Sequence, residues 1–204
     1  HPDLAEGAPG AIAVIKVGRL DKGPHAVYLP FVFRNNTTQP IAQVEWDATA
    51  HHEEQLLAIG SSHSVMPEVI HPGEIGFATI FFPEGDDIPH SADFDFLARP
   101  GASVAQARAA GDYASAPLTI TDTYLSGPEL VGRAVNRTGA DTRAPYRVQI
   151  YCFDGDRLMS EFSGTTDERE GLSEDEDLMF SANFFRQECS SFILGVSGRF
   201  SAPS

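Results

Sequence analysis

Phe-Val-Phe-Arg-Asn-Asn-Thr at residues 31–37 and Val-Gly-Arg-Ala-Val-Asn-Arg-Thr at residues 131–138 are two versions of one stretch, and they decide the fold. Each is followed by a segment that opens on proline, Pro-Ile-Ala-Gln-Val-Glu-Trp at 40–46 and Pro-Tyr-Arg-Val-Gln-Ile-Tyr at 145–151. Further along, both copies reach a polar turn and then a segment with two adjacent phenylalanines. This duplication favours two similar domains in tandem over one large fold.

The two copies divide the chain almost in half. The offset between them is 101 at Asn35/Asn136, in a chain of 204 residues. We therefore predict a first domain at residues 1–99, a linker at 100–117 and a second domain at 118–204. The linker is rich in alanine, with proline and glycine at its start. A domain of about 100 residues is large enough to bury a core of its own.

Short segments with alternating apolar and polar residues run along the chain and end at turn-forming residues. Val44, Trp46 and Ala48 alternate with polar neighbours, so one face of that segment is predicted to be buried and the other wet. A hairpin turn is expected at residues 51–54, and its counterpart carries Asp-Gly at residues 154–155. No segment shows a convincing helical period. We expect an all-β protein of two tandem antiparallel immunoglobulin-like β-sandwich domains.

Charge and composition exclude some partners. Against 14 Lys and Arg stand 29 Asp and Glu, and the formal net charge of −15 disfavours binding to nucleic acid or anionic lipid. No apolar run reaches the roughly 18 residues that a spanning helix needs, so no direct membrane insertion of this segment is expected. The chain starts at His1 without Met, which indicates a processed product or a fragment. We expect a secreted, periplasmic or cell-surface protein whose signal or anchor has been removed.

The repeated motifs are a Gly/Val-x-Asn-x-Thr opening, a strand ending in a Tyr-x-Asp-Gly hairpin, a Leu-x-Pro-Gly-Glu-type turn and a Phe-containing strand. The motif positions in the first copy are Val32, Asn35, Trp46, His71, Pro72, Gly73, Glu74 and Phe77. Those in the second copy are Val131, Gly132, Val135, Asn136, Tyr151, Asp154, Gly155, Leu172 and Phe180. Together they resemble the FxLYD domain, an immunoglobulin-like β-sandwich of bacterial and archaeal cell-envelope proteins.

The resemblance covers residues 10–99 and 118–200, and each copy departs from it once. The second copy lacks the Pro-Gly pair of the turn, and the first lacks the Asp-Gly hairpin. The resemblance implies a β-sandwich fold and a place in the cell envelope. The family has no agreed activity, so the resemblance assigns no functional residue to this chain.

Cys152 and Cys189 are the only cysteines of the chain. In an exported protein, two cysteines in one domain favour a disulfide, which at this loop length stabilises the fold by roughly 3–4 kcal/mol in the chain-entropy model. The alternative is one buried thiol and one loop thiol. Two thiols alone do not make a zinc site.

Two clusters have residue types that bind metals. His51 and His52 open a His-His-Glu-Glu run, but Leu56 stands where a His-Glu-x-x-His motif has its second histidine, so a solvated turn is favoured. Asp175 and Asp177 lie in an acidic run, which is a solvated loop or, alternatively, a weak calcium site.

His1 has a free amine beside an imidazole, and such a group can chelate copper together with a second histidine. That arrangement is found in copper-dependent polysaccharide oxidases, which are secreted β-sandwiches, so this activity stays open as an alternative. The sequence offers no Gly-x-Ser-x-Gly elbow and no phosphate-binding glycine loop. We expect no enzyme and no cofactor beyond weak calcium or copper.

Aromatic residues are the natural candidates for contacts with a partner. Adjacent phenylalanines on a strand point to opposite faces, so one ring of each pair fills the core and the other needs cover. The expected contact residues are Trp46, Phe82, Tyr151 and Phe185. The function that this favours is a non-catalytic binding, spacer or assembly module of the cell envelope. It would contact other envelope or extracellular proteins, or polysaccharide, through exposed aromatic rings and sheet edges.

Overall fold

The computed structural model describes residues 4–23, 26–42, 44–99, 101, 115–167, 170–183 and 189–201, apart from the side chains at 63 and 64. Its regular structure is β throughout, in two antiparallel sheet groups. The predicted class is therefore confirmed: the protein is all-β, with two β-sandwich-like domains.

The strands of the first group lie in the first copy of the repeat. They are β1 Ile12–Val17, β2 Asp21–Lys22, β3 Val27–Asn35, β4 Ile41–Ala42, β5 Glu45–His52, β6 Gln55–Met66, β7 Val69–Ile70, β8 Ile75–Phe82 and β9 Asp93–Arg99. Those of the second group are β10 Ser115–Pro117, β11 Thr119–Ser126, β12 Glu129–Val135, β13 Thr142–Asp154, β14 Arg157–Thr166, β15 Gly171–Leu172, β16 Asp177–Asn183 and β17 Ser191–Phe200.

The two groups share one strand order. The first runs β1-β3-β8-β6-β5-β9, and the second runs β11-β12-β16-β14-β13-β17 and ends at β10. Matching strands in chain order gives the same path in both groups, so the sequence repeat is a structural repeat. A short ladder is repeated as well, since Ile41 pairs with Ile70 and Thr142 pairs with Leu172.

The core of the first group is built around aromatic rings. The Trp46 ring lies 5.1 Å from that of Phe31 and 4.9 Å from that of Phe33, and Phe96 of β9 packs 4.8 Å from Phe31. These side chains come from alternate positions of β3, β5 and β9, as expected for strands with one buried face. The second core is mainly aliphatic and includes Phe180.

A buried asparagine closes the same turn in each group. The side-chain nitrogen Nδ2 of Asn35 donates to the carbonyls of Gln39 and Ile70, each at 2.9 Å. Its Oδ1 accepts from the backbone N and the Oγ1 of Thr37 at 3.1 and 2.7 Å. The side chain is fully buried, and both ends of its amide are satisfied inside the protein.

Asn136 repeats this arrangement in the second group. Its Nδ2 donates to the carbonyls of Ala140 and Leu172 at 2.8 and 3.1 Å, and its Oδ1 accepts from Thr138 at 3.2 and 2.7 Å. The Asn-x-Thr motif thus recurs because it ties the end of one strand to a distant loop. Its role as a turn former, favoured by the sequence, agrees with these contacts.

The internal contacts of the chain define two compact units. The first contains His1–Val104 and Phe153–Ser160, and the second contains Ala105–Cys152 and Glu161–Ser204. The repeat boundaries place residues 153–160 in the second domain, whereas the contacts place them in the first unit. There Leu158 accepts a backbone hydrogen bond of 3.0 Å from Arg19.

The predicted linker is described only at its ends. Residues 102–114 lie outside the described residues. Its last three residues form strand β10, which pairs with β17. Across the described ranges, no helix is long and apolar enough to span a membrane.

Candidate functional site

Three of the four aromatic side chains expected to contact a partner are buried. Trp46 is 2% exposed, and Phe82 and Tyr151 are 0% exposed, so the prediction that they form a contact surface is wrong. Trp46 and Phe82 belong to the first core. The fourth candidate, Phe185, lies outside the described residues.

In the Phe81-Phe82 pair, the outward ring is that of Phe81 and not the predicted Phe82. Val27 pairs with Phe82, and Val27 belongs to the same core cluster, so Phe82 faces inward. Phe81 lies on the other face of β8, where its ring is 5.6 Å from that of Tyr28. Tyr28 is 42% exposed and gives the first group one aromatic residue at the surface.

The two histidines of the expected hairpin turn lie at the end of strand β5. His51 pairs with Leu56 and His52 pairs with Gln55, while the turn itself consists of Glu53 and Glu54. Adjacent strand residues point to opposite faces of the sheet, so these histidines do not form one ligand set. The Nε2 atom of His51 lies 2.9 Å from the Thr49 hydroxyl and 3.5 Å from an Asp95 carboxylate oxygen.

The acidic run of the second group is part of the repeated turn. Oε2 of Glu174 accepts from the Gly139 amide at 2.8 Å, and Oε2 of Glu176 accepts from the Ser173 amide at 2.7 Å. Asp177 pairs with Arg133 at 3.2 Å, whereas Asp175 occupies a left-handed backbone position with φ 64°. The carboxylates of Glu174, Glu176 and Asp177 thus contact three separate partners.

The described residues contain no group of three or more His, Cys, Asp or Glu side chains that could hold a metal ion. His1, the candidate copper ligand, lies outside those residues. The predicted disulfide is present between Cys152 on β13 and Cys189 just before β17, with their Cα atoms 5.3 Å apart. It closes a loop with a sequence separation of 37 residues.

Sheet edges are the remaining feature that the sequence analysis proposed for contacts. The described strands at the ends of the two sheet paths are β1, β9, β10 and β11. An edge strand exposes unpaired backbone groups, and proteins protect such edges with charges, bulges, proline or short length. The four edges differ in how much of this protection they have.

Three of these edges are protected. Strand β1 has a bulge between Val14 and Lys16 and carries the lysine there. On β9, the four exposed positions are Asp93, Asp95, Leu97 and Arg99, so three of the four are charged. Strand β10 has three residues and ends at a proline.

The fourth edge, β11, is protected only over its first half. It has a bulge between Ile120 and Asp122, where the Thr121 hydroxyl donates to the Arg133 carbonyl at 3.3 Å. Beyond that point follows Thr-Tyr-Leu-Ser at residues 123–126, which contains no charge and is exposed at all four positions. The second half of β11 is therefore an unprotected edge.

Large apolar side chains are exposed at this edge. Tyr124 is 60% exposed and Leu125 is 54% exposed, and Met179 on β16 is 46% exposed. Tyr124 pairs with Val131, which pairs with Ser181 on β16, so these three share the outer face of the sheet. The edge and the face beside it form one surface, which we call the β11 surface: residues 122–126 with Glu129, Val131, Arg133 and Met179.

Acidic side chains flank the apolar part of the β11 surface. Asp122 lies opposite Arg133 in the ladder, with 3.5 Å between their charged atoms, and Arg133 also pairs with Asp177 at 3.2 Å. One arginine thus stands between two carboxylates. Glu129, paired with Ser126 at the other end of the hairpin, adds a third carboxylate.

Comparison with family models, with curated proteins and with solved structures found no match to this chain. The FxLYD resemblance stays a prediction.

Tyr124 and Leu125 are not among the contact residues predicted from the sequence. The segment Thr-Ile-Thr-Asp-Thr-Tyr at residues 119–124 reads as an ordinary half-buried strand, and no local signal marks it as an edge. Sheet position depends on the pairing of distant strands. The available signal was comparative: β11 has one charged residue, whereas the edge strand β9 has three.

Proposed function

We propose that this protein is a non-catalytic binding module of the cell envelope that holds another protein at the β11 surface. The observation that carries the proposal is the uncharged, exposed second half of edge strand β11, with Tyr124 at 60% exposure. Backbone groups at a sheet edge are free to add a strand from a partner, and side chains on alternate positions select its sequence.

The energetics of such a contact agree with a binding role. Full burial of a large apolar side chain contributes about 1.5–3 kcal/mol, and a strand added beside β11 would lie against Tyr124 on the outer face and Leu125 on the other face. Backbone pairing aligns the partner, and the aromatic ring supplies the kind of anchor that dominates protein interfaces.

The proposed location is extracellular, periplasmic or at the cell surface. The support for this is the Cys152–Cys189 disulfide, because disulfides persist in oxidising compartments and are rare in the cytosol. The acidic net charge of −15 supports the same assignment only weakly, since it disfavours nucleic acid as a partner. The resemblance to FxLYD domains favours the cell envelope for the same class of protein.

The copper and calcium alternatives receive no support from the contacts of the described residues. Within the acidic run, the carboxylates of Glu174 and Glu176 accept from backbone amides and that of Asp177 pairs with Arg133. A copper(II) titration of the chain with its natural N-terminus, against a His1→Ala control, tests the oxidase alternative directly. Tight binding that the control loses would replace the binding-module proposal with an oxidative enzyme.

The test of the proposed function is site-specific photo-cross-linking in the source cell. The photoreactive residue p-benzoylphenylalanine is placed at Tyr124 or, as a matched control, at Tyr28, the exposed tyrosine of the first group. We expect a discrete protein adduct from position 124 that is absent from position 28. Equal adducts from both positions, or none from position 124, would contradict a binding role for this surface.

A further inference from the structure

From the β11 surface we infer the chemistry of the partner: an extended protein segment in which a cationic, an apolar and a second cationic side chain occupy alternate positions. This inference rests on the proposed function and deepens it. It takes the partner to be a strand added beside residues 122–126 of β11. The inference follows from which side chains of the edge share one face, and from their charge.

The face of β11 that a partner strand would share is set by its register with β12. Asp122 pairs with Arg133, Tyr124 with Val131 and Ser126 with Glu129, so Asp122, Tyr124 and Ser126 lie in one row along the edge. An added strand places every second side chain opposite this row. Three alternate side chains of the partner therefore meet an acid, an aromatic ring and a small hydroxyl residue.

Each of these positions prefers a different partner residue. Opposite Tyr124, an apolar side chain buries the exposed ring. Opposite Asp122, a lysine or arginine provides a second cation for this carboxylate, because its neighbour Arg133 also pairs with Asp177. Opposite Ser126, a long cationic side chain passes over the small residue toward Glu129, its ladder neighbour. This cation–x–apolar–x–cation pattern reads the same in both directions, so it fits a parallel or an antiparallel strand.

Charge also decides against the other occupants. A second copy of this chain would bring a net charge of −15 against the same charge, and would set Asp122 near the acids of its mate. A neutral polysaccharide has no charge to meet Asp122 and Glu129 and cannot continue the backbone ladder. A cationic strand satisfies the backbone edge, the ring and both acids together.

The probe is the synthetic peptide acetyl-Thr-Lys-Thr-Ile-Thr-Lys-Thr-amide, titrated into isotopically labelled whole chain and followed by amide chemical shifts. One matched control replaces both lysines by glutamate. A second keeps the composition but moves isoleucine by one position, which turns it to the opposite face of the strand. We expect shifts at residues 119–126 with the first peptide, at least about tenfold weaker binding by either control, and weaker binding in salt.

Variants of the protein separate ring and charge. Tyr124→Ala is expected to weaken the probe about tenfold and Asp122→Asn about threefold. The variants Tyr28→Ala and Asp95→Asn, at exposed residues of the first group, serve as controls and are expected to leave binding unchanged. N-methylation of alternate peptide residues tests the backbone ladder, since one methylated set must abolish binding and the other must retain it.

Three results would overturn the inference. They are equal binding of the three peptides, chemical-shift changes located away from β11, and binding that survives N-methylation of either set of alternate residues. Self-association of the chain that Tyr124→Ala abolishes would also overturn it, because a second copy would then occupy the edge. If photo-cross-linking from position 124 captures a partner without the alternating cationic pattern, the inference fails while the proposed function stands. If neither experiment detects binding at β11, both fail.

Discussion

Asn35 and Asn136 are the polar residues on which each repeated turn depends. Each amide makes hydrogen bonds from both of its ends while fully buried, with backbone carbonyls at Nδ2 and the amide and hydroxyl of a threonine at Oδ1. We expect Asn35→Ala or Asn136→Ala to lower the free energy of unfolding by about 3 kcal/mol, because buried carbonyl and amide groups lose their partners. Urea unfolding followed by far-UV circular dichroism measures this loss.

The matched control is Arg137→Ala, which changes the exposed residue next to Asn136 in the same turn. Its expected effect is within about 0.5 kcal/mol. Asn136→Asp keeps the acceptor but removes both donors, so it should be nearly as damaging as alanine. An alanine variant of either asparagine with the stability of the native chain would mean that the network contributes nothing.

Gly73 and Asp175 occupy equivalent positions in the two turns, and both have a left-handed backbone, with φ 84° and φ 64°. A Cβ atom at Gly73 would meet nothing within 4 Å, so a substitution there tests backbone conformation alone. We expect Gly73→Ala to destabilise the protein by about 1 kcal/mol, since the Cβ atom of an L-residue makes the left-handed conformation less favourable. Gly73→Asn should lose less, because asparagine tolerates it. Equal thermal midpoints for native protein and alanine variant would contradict the assigned backbone.

The repeated asparagine was predictable from sequence because two copies of one motif demand one local explanation. The inward or outward position of a ring was not. Alternation places Phe81 and Phe82 on opposite faces, but only the register of β8 against β3 decides which face is the core. Tyr151 next to Cys152 shows a second limit: both are 0% exposed, so alternation does not reveal a strand that is covered on both faces.

At the scale of the element, the two equivalent hairpins use different turns. The β5–β6 turn consists of Glu53 and Glu54 with φ 50° and φ 67°, whereas the β13–β14 turn begins with Gly155 at φ 58°. Two positive φ values define a turn that prefers Asn-Gly. We expect the double variant Glu53→Asn/Glu54→Gly to raise the free energy of unfolding by about 1 kcal/mol, measured by urea unfolding.

The matched control for this hairpin is Glu53→Gln/Glu54→Gln. It removes the same two charges but keeps side chains that disfavour the left-handed backbone, so it separates relief of strain from relief of repulsion. We expect the control to recover only a small part of the gain. Equal stabilisation of the two double variants would show that charge, and not backbone conformation, limits this turn.

The edge position of β11 could not be read from its own residues. Its strand character follows from the alternation of threonine with Ile120 and Tyr124, but its place at the end of a sheet follows from the pairing of β12 with β16 on its other side. The disulfide, by contrast, was predictable from two cysteines in one domain. Two cysteines form such a bond once the fold brings them together, whereas an edge position depends on the pairing of the complete sheet.

At the scale of the whole molecule, the strands of the second unit are closed by one covalent bond. Cys152 lies on β13 and Cys189 precedes β17, so the bond joins neighbours in the sheet across a sequence separation of 37 residues. Without it, the unfolded chain gains the freedom of that loop. We expect Cys152→Ala/Cys189→Ala to destabilise the second unit by about 3–4 kcal/mol.

The single tryptophan allows the unfolding of the first unit to be followed separately from that of the whole chain. Trp46 is buried in the core of the first unit, so its fluorescence follows that unit, while far-UV circular dichroism follows the strands of both. The double variant is expected to move the dichroism transition toward lower urea and to change the fluorescence transition less. Native protein treated with a thiol reductant should reproduce the variant, and reductant should leave the variant itself unchanged. An unshifted dichroism transition in the double variant would contradict a stabilising role for the disulfide.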